Sequence, residues 1–557
     1  MPSTLRPRLS QSLSAEEAGS GFRPTTGMAV AVLVLLVVSN GPLFVCMPLT
    51  NDTALYDLQA RVVREGGVPY RDILEPNLPG VLWVHVAVRS LLGERSEVMR
   101  MFDLSLFGVI VFLLTRWLRA AGRSTVVQAW TAAALLLFYF SVSEWSHCQR
   151  DVWLLVPALG GLHLRRRQGL RVASEPTLRS VFAWAAAEGA VWGSAVWLKP
   201  MVVIPMLAAW IVSAMHMRRR RWIACDLGGL LVGGLLVGGA GIAWLAWSGG
   251  WPFFWETLVE WNARYFTAGK EHWTAVRFAA MAYRLFPWIL LHLAAVPCAA
   301  LEVSAWLWRK EGPLARDARF SLALFAAFYL AWLVQSFFLQ HLFDYVHAPG
   351  ILLAVMLLSA IPWSPAPSRA CRLAATGVLA VAVLVSPALH GDRLSLWARC
   401  WTEGSTPEIR NRLAHIQYPN WEDLDRAAKF LRSQNLRDGE LTCFHNDLVY
   451  LYNELNLRPS TRFVYVEALL VFFPERRGEI RAALASSRQR FLVTDMATAG
   501  LTQEELQAGS QGENAHLPPA FPEELKGRFP WSYPIAFRAG SIIIQRPVKK
   551  SIKPEPP

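Results

Sequence analysis

Charged residues are scarce in this chain. They make up 17% of its 557 residues, whereas 53% are hydrophobic, and a soluble chain of this length would carry about 25% charged residues. The shortage excludes an ordinary soluble protein. It is typical of a polytopic membrane protein to which a smaller soluble part is attached.

Several patterns that define other protein classes are also missing. The seven cysteines show no CxxC or Cys/His ligand spacing, which argues against a metal site and a disulfide framework. No internal repeat of the kind common in transporters is detectable. The net charge of +13 would suit a nucleic-acid-binding protein. Because the arginines cluster at the ends of apolar runs, the charge indicates membrane topology instead, with no nucleic-acid partner.

Long apolar runs dominate the chain up to residue 390. A stretch of about 17–25 apolar residues can span a bilayer as a helix. About eleven such helices are predicted, near residues 28–48, 97–115, 125–142, 150–164, 181–198, 200–216, 223–247, 284–308, 320–339, 342–361 and 373–390.

The loops between these runs alternate in charge. Every second loop is rich in arginine or lysine, and basic loops face the cytoplasm. Residues 1–27 are therefore predicted to be a disordered cytoplasmic tail, and the loops 49–96 and 249–276 lie outside. Residues 28–390, including the outer loop 49–96, form the predicted transmembrane domain of a multi-pass protein in the plasma (inner) membrane.

The character of the chain changes after residue 390. The strand-like runs ELTCFH, RFVYV, RFLVTD and SIIIQR alternate with helical patterns at 421–435, 446–456 and 475–487. This alternation predicts an extracytoplasmic α/β domain over residues 391–545, large enough for its own core. It holds no glycine-rich nucleotide-binding motif. Residues 546–557 are predicted to be a disordered tail.

Ionisable side chains from separate segments share the predicted outer face. Such groups are costly at membrane depth and usually functional, although a single charge at a helix end is as readily a simple interface anchor. The set is more informative than its members because it comes from five segments: Asp52, Asp57, Asp72 and Glu75; His147, Gln149, Arg150 and Asp151; Lys199; Arg264, Lys270 and His272; and His341, Asp344 and His347.

The first outer loop, NDTALYDLQARVVREGGVPYRDILEPNLPG, is unusually polar for a segment that follows an apolar run. Leu55, Leu58 and Val62 recur at helical spacing, which predicts a short amphipathic helix over 53–65 that lies on the membrane. Glycines and prolines then predict a rigid turn, and VLWVHVAVRSLL resumes as a second interfacial helix. The loop is suited to hold an acid at the lipid–water boundary. A plain structural connector is the alternative.

Four motifs occur in order along the chain. The first loop carries Asp52, Tyr56, Ala60, Gly67, Pro69-Tyr70-Arg71-Asp72 and Pro79-Gly80; the others are CQRDVWLLVPALGGL, AVWLKP and QHLFDYVHAPGILL. Together they resemble the GT-C superfamily of polyprenyl-phosphate-dependent glycosyltransferases, in particular its protein mannosyltransferase, aminoarabinose transferase and Rgt-type branches. The resemblance covers about residues 28–390 and implies an α-helical membrane fold of the GT-C type.

In that family the acid directly after the first span is the catalytic base, and Asp52 occupies this position. A carboxylate accepts the proton of the attacking acceptor group, and cations hold the leaving phosphate. The resemblance therefore implies that Lys199 and Arg150 bind the donor phosphate, with Arg71 and His347 as further candidates.

Other motif residues receive secondary roles. Asp151 is assigned to the catalytic group, either as the residue that orients Arg150 or as a second acid. The remaining polar and aromatic positions are expected to line the substrate groove, namely Tyr56, Tyr70, Asp72, His147, Gln149, Asp344 and Tyr345.

Three positions depart from the family pattern. Thr53 stands where many relatives have Glu, Asn77 where they have the Lys of Lys-Pro-Pro-Gly, and Asp344 where they often have His. A lysine at the second position would contact phosphate. The departures point either to a different donor or to a protein that has kept the fold without the activity.

The sequence therefore predicts a hexosyl- or pentosyltransferase that moves a sugar, with inversion, from a polyprenyl-phosphate donor to an extracytoplasmic glycan, lipid or protein acceptor. Membrane lipid is a further expected partner. No metal ligands are assigned, and the cofactor question stays open because some relatives use a divalent cation and others do not. Buried charges also suit two other classes, a lipid-linked-sugar flippase or transporter and a non-catalytic membrane scaffold.

Overall fold

The computed structural model describes residues 25–171, 175–217, 219–271, 273–308, 316–361, 367–416, 419–513 and 515–547. The predicted tails fall almost entirely outside these residues, as does His272. The described chain is mainly helical, with a five-stranded sheet near its C-terminal end. The predicted class, a polytopic helical membrane protein with a C-terminal α/β part, is confirmed.

Helices make up the chain before residue 390. They are α1 (Thr26–Cys46), α2 (Asn51–Arg64), α3 (Gly80–Leu92), α4 (Ser96–Ala120), α5 (Thr125–Ser141), α6 (Arg150–Trp153), α7 (Leu155–Arg171), α8 (Leu178–Leu198), α9 (Val203–Met217), α10 (Arg220–Trp247), α11 (Trp251–Glu256), α12 (Asn262–Glu271), α13 (Ala275–Arg284), α14 (Leu291–Leu307), α15 (Arg316–Phe338), α16 (Asp344–Ala360) and α17 (Pro367–Val385). A π-helical turn (Thr257–Trp261) joins α11 to α12, and short 3-10 turns occupy Glu144–Ser146, Pro200–Val202, Trp288–Leu290 and Pro387–Leu389.

Each of the eleven predicted runs contains a helix. Among the described residues, seven helical segments are long and apolar enough to cross a membrane: Thr26–Cys46, Ser96–Ala120, Leu178–Leu198, Pro200–Met217, Arg220–Trp247, Trp288–Leu307 and Arg316–Phe338. Other apolar helices, such as Thr125–Ser141 and Asp344–Ala360, are shorter. The protein is therefore multi-pass, and the number eleven stays a prediction.

Glycine allows α8 and α10 to approach closely. A side chain at Gly189 would lie 2.2 Å from the Leu230 carbonyl oxygen, and one at Gly233 would lie 1.9 Å from that of Ala186. Small residues at such positions let helix backbones meet inside a membrane, where packing rather than water exclusion drives association. Gly229 and Gly233 of α10 thus serve helix packing.

A buried ion network ties α7, α8 and α10 together. The Arg165 guanidinium donates from Nε to Glu188 (2.9 Å) and from Nη1 to Asp226 (2.7 Å). All three side chains are almost fully buried. Trp192 and Trp210 donate to the same two carboxylates. Buried charges require this degree of pairing.

The C-terminal region, defined here as residues 391–547, combines short helices with the sheet. Its helices are α18 (Gly391–Leu394), α19 (Trp397–Thr402), α20 (Pro407–Leu413), α21 (Trp421–Ser433), α22 (Tyr450–Glu454), α23 (Val466–Phe472), α24 (Arg477–Ser486), α25 (Gln503–Gln507) and α26 (Glu523–Lys526), with 3-10 turns at Asn446–Leu448, Pro474–Arg476 and Met496–Ala499. Its strands are β1 (Leu441–Cys443), β2 (Phe491–Asp495), β3 (Gly512–Glu513), β4 (Ile535–Ala539) and β5 (Ile542–Gln545).

The strands lie in the order β1-β2-β5-β4-β3, and only β1 and β2 pair in parallel. The runs ELTCFH, RFLVTD and SIIIQR are strands, as predicted. The run RFVYV is not, and the prediction of a strand there is wrong. Its residues before α23 form an irregular segment, because their backbone and side chains bind other parts of the chain.

The first outer loop packs into the C-terminal region. Leu55, Leu58 and Val62 of α2 share a hydrophobic core with residues of α21, α22, β1 and β2. The predicted helix is present, but its apolar face is covered by protein. The expectation that it lies with this face on the membrane is therefore wrong, since burial against the C-terminal core removes the apolar surface that would bind lipid.

We expect Arg165→Leu to lower the free energy of unfolding by about 3–5 kcal/mol, because two buried carboxylates lose their cation. Thermal unfolding in detergent micelles measures the effect. Arg167→Leu is the matched control, since Arg167 is exposed on the same helix. Equal stability of the two variants would contradict the structural role of the network.

Candidate active site

Asp52 lies in the first turn of α2. The helix begins after Thr50, whose hydroxyl accepts a hydrogen bond from the Thr53 backbone N–H (3.2 Å). Thr53 is fully buried, and its hydroxyl donates to the Cys148 carbonyl (3.4 Å). A glutamate would not fit there, so the departure at Thr53 reflects packing that holds Asp52 against the loop before α6.

The Asp52 carboxylate bridges two parts of the protein. It accepts a hydrogen bond from the Gln149 amide on one oxygen (3.4 Å) and from the Tyr465 hydroxyl on the other (3.5 Å). Burial raises the pKa of Asp52, while Gln149, Arg150 and Tyr465 partly offset that rise. The carboxyl is half-buried and has free lone pairs, as a proton acceptor needs.

Lys199 and Arg150 flank a buried acid. Pro200 keeps Lys199 in an extended conformation and thereby ends α8 at Leu198. The Lys199 ammonium donates to Asp151 Oδ1, and Arg150 Nε lies 4.0 Å from Asp151 Oδ2. Asp151 therefore contacts both cations. This geometry favours the orienting role among the two roles predicted for Asp151.

Arg150 and Lys199 line a cavity of about 720 Å³. Its polar lining also includes Asn262, Gln340 and His341. Apolar and aromatic side chains form most of the remaining wall, among them Leu78, Met201, Leu258, Trp273, Phe337, Phe338, Leu339, Phe343 and Val346. A cavity lined by two cations and by mostly apolar walls suits an amphiphilic molecule with an anionic head.

The turn after α2 brings a second acid to the site. Glu75 is buried and accepts hydrogen bonds from the backbone (3.1 Å) and the side chain of Asn77. Burial raises the pKa of Glu75 to about 7, although Arg150 favours its charged form and Asp52 opposes it. The sequence identifies Glu75 as an outer acid but indicates no role for it, because the residues Glu75-Pro76-Asn77 do not reveal its burial.

Asn77 organises this turn. Its amide donates to the Tyr56 hydroxyl (3.0 Å), and its carbonyl accepts from the Tyr70 hydroxyl (2.7 Å). Tyr70 has a φ of 67°, which is uncommon for a residue with a side chain and typical of constrained sites. The departure at Asn77 therefore replaces a cation with a residue that fixes Glu75, Tyr56 and Tyr70.

Arg71 and Asp72 are not brought to this cluster. They pair with each other through two hydrogen bonds (2.6 and 3.1 Å), and Asp72 also accepts from the Val68 N–H (2.8 Å). Half of the Arg71 side chain is exposed. The structure thus gives no geometric support for phosphate binding by Arg71 or for Asp72 in the groove, because neighbouring opposite charges satisfy each other.

Only some residues of the motif QHLFDYVHAPGILL line the cavity. Tyr345 lines the cavity and stacks on Trp145, whereas Asp344 is buried and accepts a hydrogen bond from Ser143 (3.5 Å). His347 is buried against Phe337, a wall residue, but does not itself line the cavity.

His147 also lies away from the cavity. It is buried, and its ring pairs with the Tyr139 carbonyl (2.7 Å) and packs between Phe44 and Tyr139. It serves the core rather than the groove.

The other outer residues singled out from the sequence either pair with neighbouring charges or line the cavity. Asp57 binds His85 (2.8 Å) and Arg89 (2.7 Å). Burial alone would raise the pKa of Asp57, but these partners hold it below its usual range. Arg264 lies 3.9 Å from Glu475, and His341 lines the cavity. Among the described residues, no group of three His, Cys, Asp or Glu side chains could hold a metal ion.

Comparisons with known proteins bear on the fold. No model of a known protein family matches the chain, and no curated protein matches it by sequence. The solved structure of ArnT from Cupriavidus metallidurans, bound to undecaprenyl phosphate, is 14% identical; the alignment covers 95% of this chain and 100% of that chain, with a TM-score of 0.50.

Two structures from Archaeoglobus fulgidus are less similar, each 12% identical with a TM-score of 0.43. The oligosaccharyltransferase in its apo form covers 85% of this chain and 70% of its own. AglB in complex with an inhibitory peptide and a dolichol-phosphate covers 89% and 75%.

The similarity to ArnT extends over nearly the whole of both chains. The protein therefore shares the fold of this ArnT structure, and the helical membrane fold that the four motifs led us to expect is confirmed.

We expect Glu75 to titrate near neutral pH. Dicyclohexylcarbodiimide modifies protonated carboxyls in apolar surroundings, so peptide mapping across pH should give a Glu75 midpoint of about 7. Arg150→Gln should raise the midpoint, because the guanidinium favours the carboxylate. Asp57, whose pKa is lowered, is the internal control and should stay unmodified near neutral pH. A Glu75 midpoint in the usual range, about 4.3, would contradict the burial argument.

Proposed function

We propose that this protein is an integral membrane glycosyltransferase that moves a sugar from a polyprenyl-phosphate donor to an acceptor. One observation carries the proposal: two cations, Arg150 and Lys199, line a cavity whose other walls are mostly apolar. Asp52 accepts a hydrogen bond from Gln149, the residue that precedes Arg150. The GT-C fold and the reactions of its members support the same conclusion.

The cavity suits both parts of the donor. The isoprenoid chain packs against side chains such as Leu258, Phe338 and Leu339, where burial of apolar surface supplies binding energy. The phosphate lies at Arg150 and Lys199, which donate charge-assisted hydrogen bonds to its oxygens. Asp151 holds Lys199 beside Arg150 before the donor arrives.

Transfer then proceeds as one displacement at the anomeric carbon. The acceptor hydroxyl or amine attacks opposite the phosphate, its bond to carbon forms as the carbon–oxygen bond to phosphate breaks, and its proton passes to Asp52. Polyprenyl phosphate leaves with the bonding electron pair, stabilised by Arg150 and Lys199. A single displacement inverts the anomeric centre. Glu75, whose pKa is raised to about 7, is a second candidate proton acceptor near Asp52.

We infer from the arginine-rich loops that the N-terminus is cytoplasmic. The first outer loop and the C-terminal region (residues 391–545 as a domain) then face outward from the plasma membrane. The acceptor is accordingly an extracytoplasmic glycan, lipid or protein.

We expect Asp52→Asn to lower transfer by about 10²–10⁴-fold, because the base is lost at almost unchanged shape. The measurement is mass spectrometry of envelope glycans and lipids from cells with the wild type, the variant or neither. The variant's profile should match that of cells without the protein. Asp392→Asn, at an exposed acid far along the chain, is the matched control. Full product formation by Asp52→Asn would refute the assignment of the base.

We expect Lys199→Gln and Arg150→Gln each to weaken undecaprenyl phosphate binding by about 10-fold or more, because each removes a charge-assisted hydrogen bond. Native mass spectrometry of the purified protein with added undecaprenyl phosphate measures this. Arg71→Gln should bind like the wild type, since Arg71 is paired with Asp72. Unchanged binding in the Lys199 and Arg150 variants would contradict their assignment to the donor phosphate. Transport of a lipid-linked sugar into vesicles without transfer would favour a flippase.

A further inference from the structure

The segment Arg462–Tyr465 of the C-terminal region meets the outer loops of the membrane part. The Arg462 carbonyl accepts a hydrogen bond from the Leu74 N–H (2.8 Å), one residue before Glu75. Its guanidinium donates to Glu256 of α11 (2.6 Å). This segment begins the run RFVYV, and the hydrogen bond from Leu74 occupies a backbone carbonyl that would otherwise be available to pair in a sheet.

The same segment secures the helix that lines the cavity. Phe463 packs against Trp261, with ring centroids 5.9 Å apart. Arg476 lies over the Trp261 ring at 4.6 Å and pairs with Glu260 (2.6 Å). The π-helical turn Thr257–Trp261 is thus held by the C-terminal region. Such turns often occur at functional sites.

Tyr465 ends the segment at Asp52. Its ring packs against the hydrophobic core that α2 shares with the C-terminal region, and its hydroxyl lies 3.5 Å from Asp52 Oδ1. The phenol therefore reaches the acid from the side opposite Gln149, which bonds the other oxygen.

Three further side chains fix the position of α2 relative to Tyr465. The Tyr450 hydroxyl donates to the Leu49 carbonyl (2.8 Å), and the Asn453 amide donates to the Ala54 carbonyl (2.8 Å). The Arg61 guanidinium donates to the carbonyls of Tyr452 (3.0 Å) and Leu457 (2.8 Å). These bonds lie on both sides of Asp52 along the chain, so the distance to Tyr465 is set by several independent contacts.

We infer that Tyr465 is a positioning residue for Asp52: the C-terminal region supplies a hydroxyl that orients the carboxylate and favours its charged form. The inference rests on the proposed function, in which Asp52 is the base. It assigns the C-terminal region a part in the reaction itself, because Tyr465 is the hydrogen-bond donor to Asp52 Oδ1 among the described residues.

The chemical reason is the balance of charge at Asp52. Burial disfavours the carboxylate, and a hydroxyl that donates to it restores the charged form a base requires. The other charged or titratable groups around Asp52 come from every neighbouring segment: Arg150 and Asp151 of α6, Tyr56 and Glu75 of the first loop, Tyr265 of α12, Tyr345 of α16 and Tyr450 of α22. Among these, none donates a hydrogen bond to Asp52.

Tyr465→Phe tests the inference, because it deletes the hydroxyl and keeps the ring that packs in the core. The probe is dicyclohexylcarbodiimide, and peptide mapping gives the pH midpoint of Asp52 modification in the full-length protein. Loss of the donor raises the pKa of Asp52, so the midpoint should rise by about 0.5–1 pH unit. The acid limb of the transfer rate should move to higher pH by the same amount.

Tyr452→Phe is the matched control, since it also deletes a buried phenol hydroxyl in the core that α2 shares with the C-terminal region, but one that accepts from the Cys443 backbone N–H. Its Asp52 midpoint should match the wild type, and both variants should keep their melting temperature within a few degrees. Superimposed Asp52 curves for Tyr465→Phe and wild type would overturn the inference. Equal shifts in both variants would overturn it too, since they would indicate a loosened interface.

The labelling requires no substrate, so the two proposals fail separately. If wild-type protein neither binds undecaprenyl phosphate nor changes envelope glycans, the proposed function fails whatever the Asp52 midpoint does. If transfer is normal and Asp52→Asn is inactive, yet Tyr465→Phe leaves the midpoint and the pH–rate profile unchanged, only the role of Tyr465 fails.

Discussion

The candidate active site depends on the burial of the apolar face of one short helix, α2. Leu55, Leu58 and Val62 of α2 pack into the core of the C-terminal region, and the opposite end of the helix carries Asp52. Because α2 follows α1 after only four residues, the same helix is tied to the membrane part by the chain and to the C-terminal region by its apolar face. The site therefore forms at the junction of both parts and belongs to neither alone.

Buried charge is handled in two different ways. Arg165 pairs with both Glu188 and Asp226, and tryptophans donate to the carboxylates. Such a network specifies how helices meet. Lys199 and Arg150 share a single carboxylate, Asp151, and both face a cavity. Unlike the carboxylates of the first network, Asp151 is shared by two cations that both line the cavity. In the proposed function, these two cations receive the phosphate of the donor.

Parts of the site could be predicted because their signals are local. Asp52 follows an apolar run, Lys199 precedes a proline at a helix end, and Gln149-Arg150-Asp151 begins a span. Glu75 and Tyr465 carry no such signal: the first acquires its shifted pKa from burial, and the second lies 413 residues beyond Asp52. The run RFVYV has strand-like composition, but contacts with Leu74 and Glu256 use its polar groups. Arg71 and Asp72 match a motif and yet pair with each other, since adjacent opposite charges satisfy themselves more readily than distant partners.

The amino-acid sequence by itself determined the membrane class, the positions of the apolar helices and the order of the four motifs, because hydrophobic length and periodicity act over about 20 residues. It did not determine which acid meets which donor. Only the tertiary structure brought Tyr465 to Asp52, placed Asn77 between Glu75 and two tyrosines, and turned the apolar face of α2 away from lipid. Those outcomes follow from long-range packing and burial, which change the energy of a charge according to neighbours that the chain supplies from far away.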